Sequence, residues 1–288
     1  MGSAVEFETR RGWLFGLAYR LLGSAAEAED IVQDAYLRWD RAAAVTHPDA
    51  WLAKVVTNLC LTHLTSARAT REQYVGQWLP EPVPTEHLGP LDTVEQRESV
   101  SLAVLALLER LTPAERAVFV LREAFGYGHR EIAEVVELSE TNCRQLYRRA
   151  AQHLATRKPR FQPSREDRER LAARFLAAAR TGDLRSLEEL LADDITSCAD
   201  SGGHLPTARR PVTGRAEVAR YFAGSWRKVP ADLAFAFAEV NGTTALVATA
   251  DGTPLAVVAL EFDGHRIAGV RIVANPAKLS HFRGLPSP

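Results

Sequence analysis

The chain has 288 residues, 46% apolar and 25% charged, with 35 Lys and Arg against 36 Asp and Glu and a net charge of −1. These values describe a folded, water-soluble protein of about two or three domains, and argue against a chain that holds nucleic acid through bulk charge alone. No apolar run reaches the roughly 18 residues of a membrane span, and the first residues lack a secretory core. The odd, scattered Cys60, Cys143 and Cys198 offer no disulfide framework, so a reducing cytoplasm is expected.

Residues 6–72 read as three helices. In the first, Phe7, Trp13 or Leu14, Leu17 and Leu21 recur at helical spacing, and Gly23 ends the run. The second starts at Ser24 with Glu27 three residues on, a capping-box spacing, and carries Ile31 or Val32, Ala35 and Trp39 as its stripe. In the third, Trp51, Val55, Leu59 and Leu64 are expected to face a core. Residues 73–92 hold Pro80, Pro82, Pro84 and Pro90, which make a semi-rigid linker. Within it, "WLPEP" (Trp78 to Pro82) is too apolar for an ordinary tether.

Residues 93–156 are helical again. Their clearest signal is "HREIAEVVELSETNCRQLYRRAAQHL", a short helix from Arg130 to Val136, a turn, and a Ser139-capped helix to about Leu154. That is a helix-turn-helix pattern, with Ala133 and Val136 expected to face Cys143 and Leu146. Such a unit puts the start of its second helix against base edges. Here those residues are Glu140, Thr141, Asn142, Arg144 and Gln145, while Arg148 and Arg149 suit phosphates. From Thr141 to Arg160 the chain carries six Lys and Arg and no acid, whereas Glu27, Glu29, Asp30 and Asp34 form an acidic cluster. One basic and one acidic face predict two macromolecular partners.

The last part changes character. "REDRERLAARFLAAARTGD" and "LRSLEELLAD" read as helices. "LAFAFAEVNG", "TTALVATADG", "PLAVVALEFDG" and "RIAGVRIVAN" read as an antiparallel meander with tight Asn-Gly and Asp-Gly turns. The predicted fold class is therefore two all-α domains followed by an α+β domain.

"AEDIVQDAYLRW" (Ala28 to Trp39), "HPDAWLAKVVTNLCL" (His47 to Leu61) and the segment Leu111 to Leu146 resemble the two conserved regions of extracytoplasmic-function sigma factors, the bacterial subunits that direct RNA polymerase to promoters. The resemblance implies that Asp30, Gln33, Asp34 and Leu37 contact the polymerase clamp. By the same likeness, Trp51, Asn58, His63, Arg68 and Arg71 serve the −10 element, and Glu140, Thr141, Asn142, Arg144, Gln145, Arg148 and Arg149 serve the −35 element. Thr62, His63 and Thr65 stand where the family usually has Asp and Arg, which leaves altered recognition and decayed DNA binding as alternatives. "WLPEP", "DSGGH" (Asp200 to His204) and "NPAKL" (Asn275 to Leu279) are similar to motifs of the subgroup with a fused C-terminal SnoaL-like domain, a cone-shaped barrel. Ser201, His204 and Ala277 depart from its pattern.

That likeness implies that the C-terminal domain contacts the linker through Trp78, Leu79, Pro80, Glu81, Pro82, Asp200, Gly202, Gly203, His204, Asn275, Pro276, Lys278 and Leu279. The expected domains are 1–72 (−10 region), 73–92 (linker), 93–160 (−35 region) and 161–288 (SnoaL/NTF2-like regulatory domain). The expected partners are core RNA polymerase and promoter DNA, with a small-molecule ligand in the C-terminal pocket as a further partner. The alternative is a repurposed sigma fold, an enzyme or a small-molecule sensor, in which Asp194 or Asp200 with His204 or His265 would supply acid–base chemistry. No catalytic residue is assigned and no cofactor is expected. Cys60 and His63 lack a second ligand pair, so no zinc site is expected.

Overall fold

The computed structural model describes residues 2–42, 45–72, 74, 76–88, 97, 99–154, 163–226 and 233–282, with the backbone alone for 2–3 and 67–72. The chain divides into two compact units, Met1–Gln73 with Thr85–Thr156, and Tyr74–Pro84 with Arg157–Pro288.

The first unit is helical. Helices α1 (Gly2–Leu22), α2 (Ala25–Arg41) and α3 (Pro48–Glu72) are followed by a 3-10 turn at Thr85–Leu88, then α4 (Leu102–Leu108), α5 (Pro113–Glu123), α6 (His129–Val136) and α7 (Glu140–His153). Ser24 caps α2 by accepting from the Glu27 amide at 3.2 Å, and Thr112 with Glu115 closes a capping box on α5. Both satisfy amides that the first turn leaves without partners. Phe7, Leu14, Leu17 and Leu21 of α1 are buried, as are Ile31, Val32, Ala35 and Trp39 of α2.

On α3 the buried stripe is Leu52, Ala53, Val56, Cys60 and Leu64. The expected Trp51, Val55 and Leu59 are only half-buried, because α3 packs on α1 and α2 along one side and on α5 and α6 along another. Two buried arginines knit the early and late helices of this unit together. Arg20 donates to Ser99 Oγ at 3.0 Å and Gly16 O at 2.9 Å, and lies 5.3 Å from the Phe125 ring. Burial holds its pKa down to about 10. Arg116 donates to Leu21 O at 2.8 Å and to Glu109 Oε1 at 2.6 Å.

The second unit is α+β. Helices α8 (Arg165–Thr181) and α9 (Leu184–Leu190) lead into β1 (Leu191–Asp200) and β2 (Val212–Thr213). Helix α10 (Arg215–Ser225) then precedes β3 (Ala234–Val240), β4 (Thr243–Ala250), β5 (Thr253–Asp263) and β6 (Arg266–Val273). The sheet order is β2-β1-β6-β5-β4-β3. The turns after β3 and β4 use Asn241-Gly242 and Asp251-Gly252 with positive φ at both residues, as a two-residue hairpin twisting with its strands requires.

Two features differ from the sequence reading. The second amphipathic segment stops at Leu190 and becomes β1, and β1 pairs in parallel with β6 while the remaining pairs are antiparallel. In β1 the acids and small polar residues of "ADDITSCAD" mask the alternation. One hydrophobic core joins Phe175, Leu187 and Phe222 of the helices to Leu246, Leu260 and Phe262 of the sheet.

Candidate nucleic-acid interface and linker clamp

Helices α6 and α7 are joined by Glu137, Leu138 and Ser139. Glu137 adopts φ +57°, and the Leu138 amide returns to Ala133 O at 3.1 Å, closing the end of α6. Ser139 accepts from the Asn142 amide at 3.2 Å and starts α7. The buried residues of the two helices are Ile132, Val135 and Val136 on α6 and Cys143 and Ala150 on α7. Of the residues expected to face one another, Val136 and Cys143 are buried, while Ala133 and Leu146 are half-buried. Glu140, Thr141, Asn142, Arg144, Gln145, Arg148 and Arg149 are all exposed on α7. Glu140 Oε1 holds Arg144 Nη2 at 2.6 Å one turn on.

On α2, Asp30, Gln33, Asp34 and Leu37 share one exposed face at helical spacing, and Leu37 is 45% exposed. On α3, the Trp51 ring sits 5.8 Å from Trp39. Asn58 is half-buried, and its carbonyl accepts from Thr62 Oγ1 at 2.9 Å. Thr65 Oγ1 bonds Leu61 O likewise, so both hydroxyls turn back on their own helix. His63 Nε2 lies 3.2 Å from Glu27 Oε1 of α2. The side chains of Arg68 and Arg71 lie outside the described residues.

The second unit holds the densest polar site. Because β1 and β6 run parallel, their carboxyl ends finish side by side, with Asp200 opposite Val273. Asp200 therefore sits beside the "NPAKL" turn. It is 1% exposed and accepts four hydrogen bonds: Tyr74 Oη at 2.6 Å and the Gly202 amide at 3.0 Å on Oδ1, the Leu79 amide at 2.9 Å and Lys278 Nζ at 2.8 Å on Oδ2. Lys278 Nζ also donates to Leu79 O at 2.6 Å. It stands 4.2 Å from the Trp78 ring centroid and 4.9 Å from that of Tyr74.

A buried charge persists only when paired and hydrogen-bonded, and both partners here are. The aromatic faces add cation–π attraction. Burial first, then its bond to Asp200, raises the Tyr74 phenol well above its ordinary range, so Tyr74 remains a protonated donor. Asn275 donates to Tyr74 Oη at 2.7 Å and accepts from the Ala277 amide at 3.1 Å. Further along, Val83 and Asn241 exchange two bonds, Val83 N to Asn241 Oδ1 at 2.9 Å and Asn241 N to Val83 O at 3.0 Å. Residues 79–84 are buried throughout. The linker is thus held at both ends, near β1–β6 and at the β3–β4 turn.

The thirteen linker-contact residues therefore divide. Trp78, Leu79, Asp200, Gly202, Asn275 and Lys278 converge through these bonds and ring contacts, and Pro80, Glu81, Pro82 and Leu279 are buried. Gly203, His204 and Pro276 are exposed. Sequence reasoning missed Tyr74, Val83 and Asn241. The Asn241-Gly242 pair signals only a hairpin, and nothing local says that its amide side chain is used. Asp194, His204 and His265 are exposed, and no hydrogen bond or ion pair joins them among the described residues. Asp200 makes its hydrogen bonds to Tyr74, Leu79, Gly202 and Lys278.

Gly202 has φ +58°, and a Cβ there would lie 2.6 Å from Asn275 Nδ2. Gly202→Ala is expected to destabilise this unit by about 2–4 kcal/mol, combining left-handed strain with displacement of an amide that two bonds fix. Urea unfolding followed by amide exchange in residues 74–84 measures it.

The first unit is helical, with an Arg-bearing helix exposed after a helix-turn-helix junction, and the second is an α+β domain that holds residues 74–84. Residues 7–70 match the Sigma-70 region 2 family and residues 101–154 match Sigma-70, region 4. The ECF RNA polymerase sigma factor SigJ of Mycobacterium tuberculosis is 40% identical over 276 residues, covering 93% of this chain and 86% of that protein. The probable ECF RNA polymerase sigma factor SigI of the same species is 33% identical over 286 residues, covering 97% and 96%. The crystal structure of SigJ matches with a TM-score of 0.76 at 35% identity, over 96% of this chain and 98% of that one. The chain belongs to the extracytoplasmic-function RNA polymerase sigma factors, and its function is that of a sigma factor in transcription initiation. Among the described residues no helix is long and apolar enough to cross a membrane.

Proposed function

We propose that this sigma factor directs core RNA polymerase to promoters under control of its C-terminal domain, which acts by gripping residues 74–84. The observation that carries this reading is the buried Asp200–Lys278 pair, closed on Tyr74, Trp78 and Leu79. In sequence the gripped segment follows the −10 region (1–72) and precedes the −35 region (93–160), within the expected 73–92 linker. A domain that fixes the linker sets how far the two regions can separate.

In this assignment Asp30, Gln33, Asp34 and Leu37 meet the polymerase. Trp51, Asn58, His63, Arg68 and Arg71 serve the −10 element, and Glu140, Thr141, Asn142, Arg144, Gln145, Arg148 and Arg149 serve the −35 element. Of these, Arg148 and Arg149 would neutralise phosphates. The exposure of the α2 and α7 residues supports both placements. No catalytic step is assigned, and the small-molecule ligand has no part in this reading.

Multi-round transcription from genomic promoter fragments, with purified core RNA polymerase, tests the proposal. Trp78→Ala with Leu79→Ala removes the ring over Lys278 and a buried side chain, and is expected to change transcript yield several-fold at unchanged affinity for core. Equal yield from the double variant and the parent chain would count against linker control.

A further inference from the structure

Between Asp200 and Glu217 the chain has no acidic residue, but it has His204, Arg209, Arg210 and Arg215. Arg215 is engaged locally, with Nη2 2.7 Å from Asp193 and Nε donating to Leu191 O at 3.0 Å. Asp200 is neutralised by Lys278. Arg209 and Arg210 are exposed, and among the described residues they have no ion pair or hydrogen bond.

The loop that carries them is braced. Ser201 Oγ donates to Leu205 O at 2.9 Å and lies 3.1 Å from Thr207 Oγ1. The His204 amide returns to Ser201 O at 2.9 Å, and Gln77 Nε2 donates to Ala208 O at 3.2 Å. The last bond ties the loop to the linker, which begins directly after α3 in sequence, the helix assigned to the −10 element.

We propose that Leu205–Arg210 is a DNA-backbone contact of the C-terminal domain, with Arg209 and Arg210 binding promoter phosphates. Two adjacent guanidinium groups without local acids match phosphate oxygens by charge and by their forked donors. The loop offers no helix or strand to enter a groove, so its contacts position the duplex without reading bases. Its bracing lowers the ordering cost of that contact. DNA is favoured over an acidic protein surface because promoter DNA is the polyanion on which this family acts. The inference rests on that family activity, and its salt-slope readout is separate from the transcript yield that tests the linker clamp.

The test is salt-dependent binding of the holoenzyme, the full chain with core RNA polymerase, to a promoter fragment that yields transcript with the parent chain. Arg209→Ala with Arg210→Ala is expected to reduce the slope of log affinity against log salt by about 2, and to weaken binding on the order of tenfold or more at about 0.1 M salt. Arg209→Lys with Arg210→Lys should keep the slope. An unchanged slope in the alanine variant overturns the proposal. Weakened core binding with an unchanged slope also overturns it, and assigns the loop to the polymerase instead.

Discussion

Lys278→Met is expected to destabilise the C-terminal unit by about 3–5 kcal/mol, the range for breaking a buried ion pair by removing one partner. Methionine keeps most of the side-chain volume, so the loss is electrostatic rather than a cavity. Asp200, 1% exposed, would retain neutral donors from Tyr74, Leu79 and Gly202 but lose its countercharge. The Leu79 carbonyl would lose the ammonium that it accepts from at 2.6 Å. Amide exchange should rise first in residues 74–84, because this pair ties strand ends to the linker. Stability within about 1 kcal/mol of the parent, with the linker still protected, would show that packing of residues 79–84 holds the segment unaided. Asp200→Asn with Lys278→Met should recover part of the loss, since both charges then disappear together.

Glu109→Ala is expected to have a similar effect on the helical unit, again about 3–5 kcal/mol. Arg116 is 4% exposed, and its Nη1 group bridges Glu109 of the late helices to the Leu21 carbonyl at the end of α1. Removing the carboxylate leaves the guanidinium in a low-dielectric setting with less compensation. Glu140→Ala is the control, since the Arg144–Glu140 pair has the same 2.6 Å separation but side chains 64% and 44% exposed. Solvent screening reduces that pair to about 0.5 kcal/mol or less. Urea titration with fluorescence from Trp13, Trp39 and Trp51 reports on this unit. Equal shifts for the two variants would refute the burial argument.

Much of this protein was legible in its sequence because local rules act on neighbouring residues. The capping at Ser24, the helical stripes of α1 and α2, the helix-turn-helix from His129 to His153 and the Asn-Gly and Asp-Gly turns of the meander are decided within a few residues. The sigma-factor family followed from the motifs that these elements carry.

What the sequence did not determine depends on contacts distant along the chain. The stripe of α3 was displaced because that helix meets neighbours on two sides, which no single periodicity reveals. Strand β1 was hidden by its polar composition, and its parallel pairing with β6 is a choice of tertiary topology. That pairing brings the end of β1 beside the turn after β6, and so Asp200 within 2.8 Å of Lys278. Composition determined that acids, a lysine and aromatic residues were available. Only the crossing of the chain decided that one acid would be buried, paired and closed on the linker, because a carboxylate tolerates burial only where the fold supplies its donors.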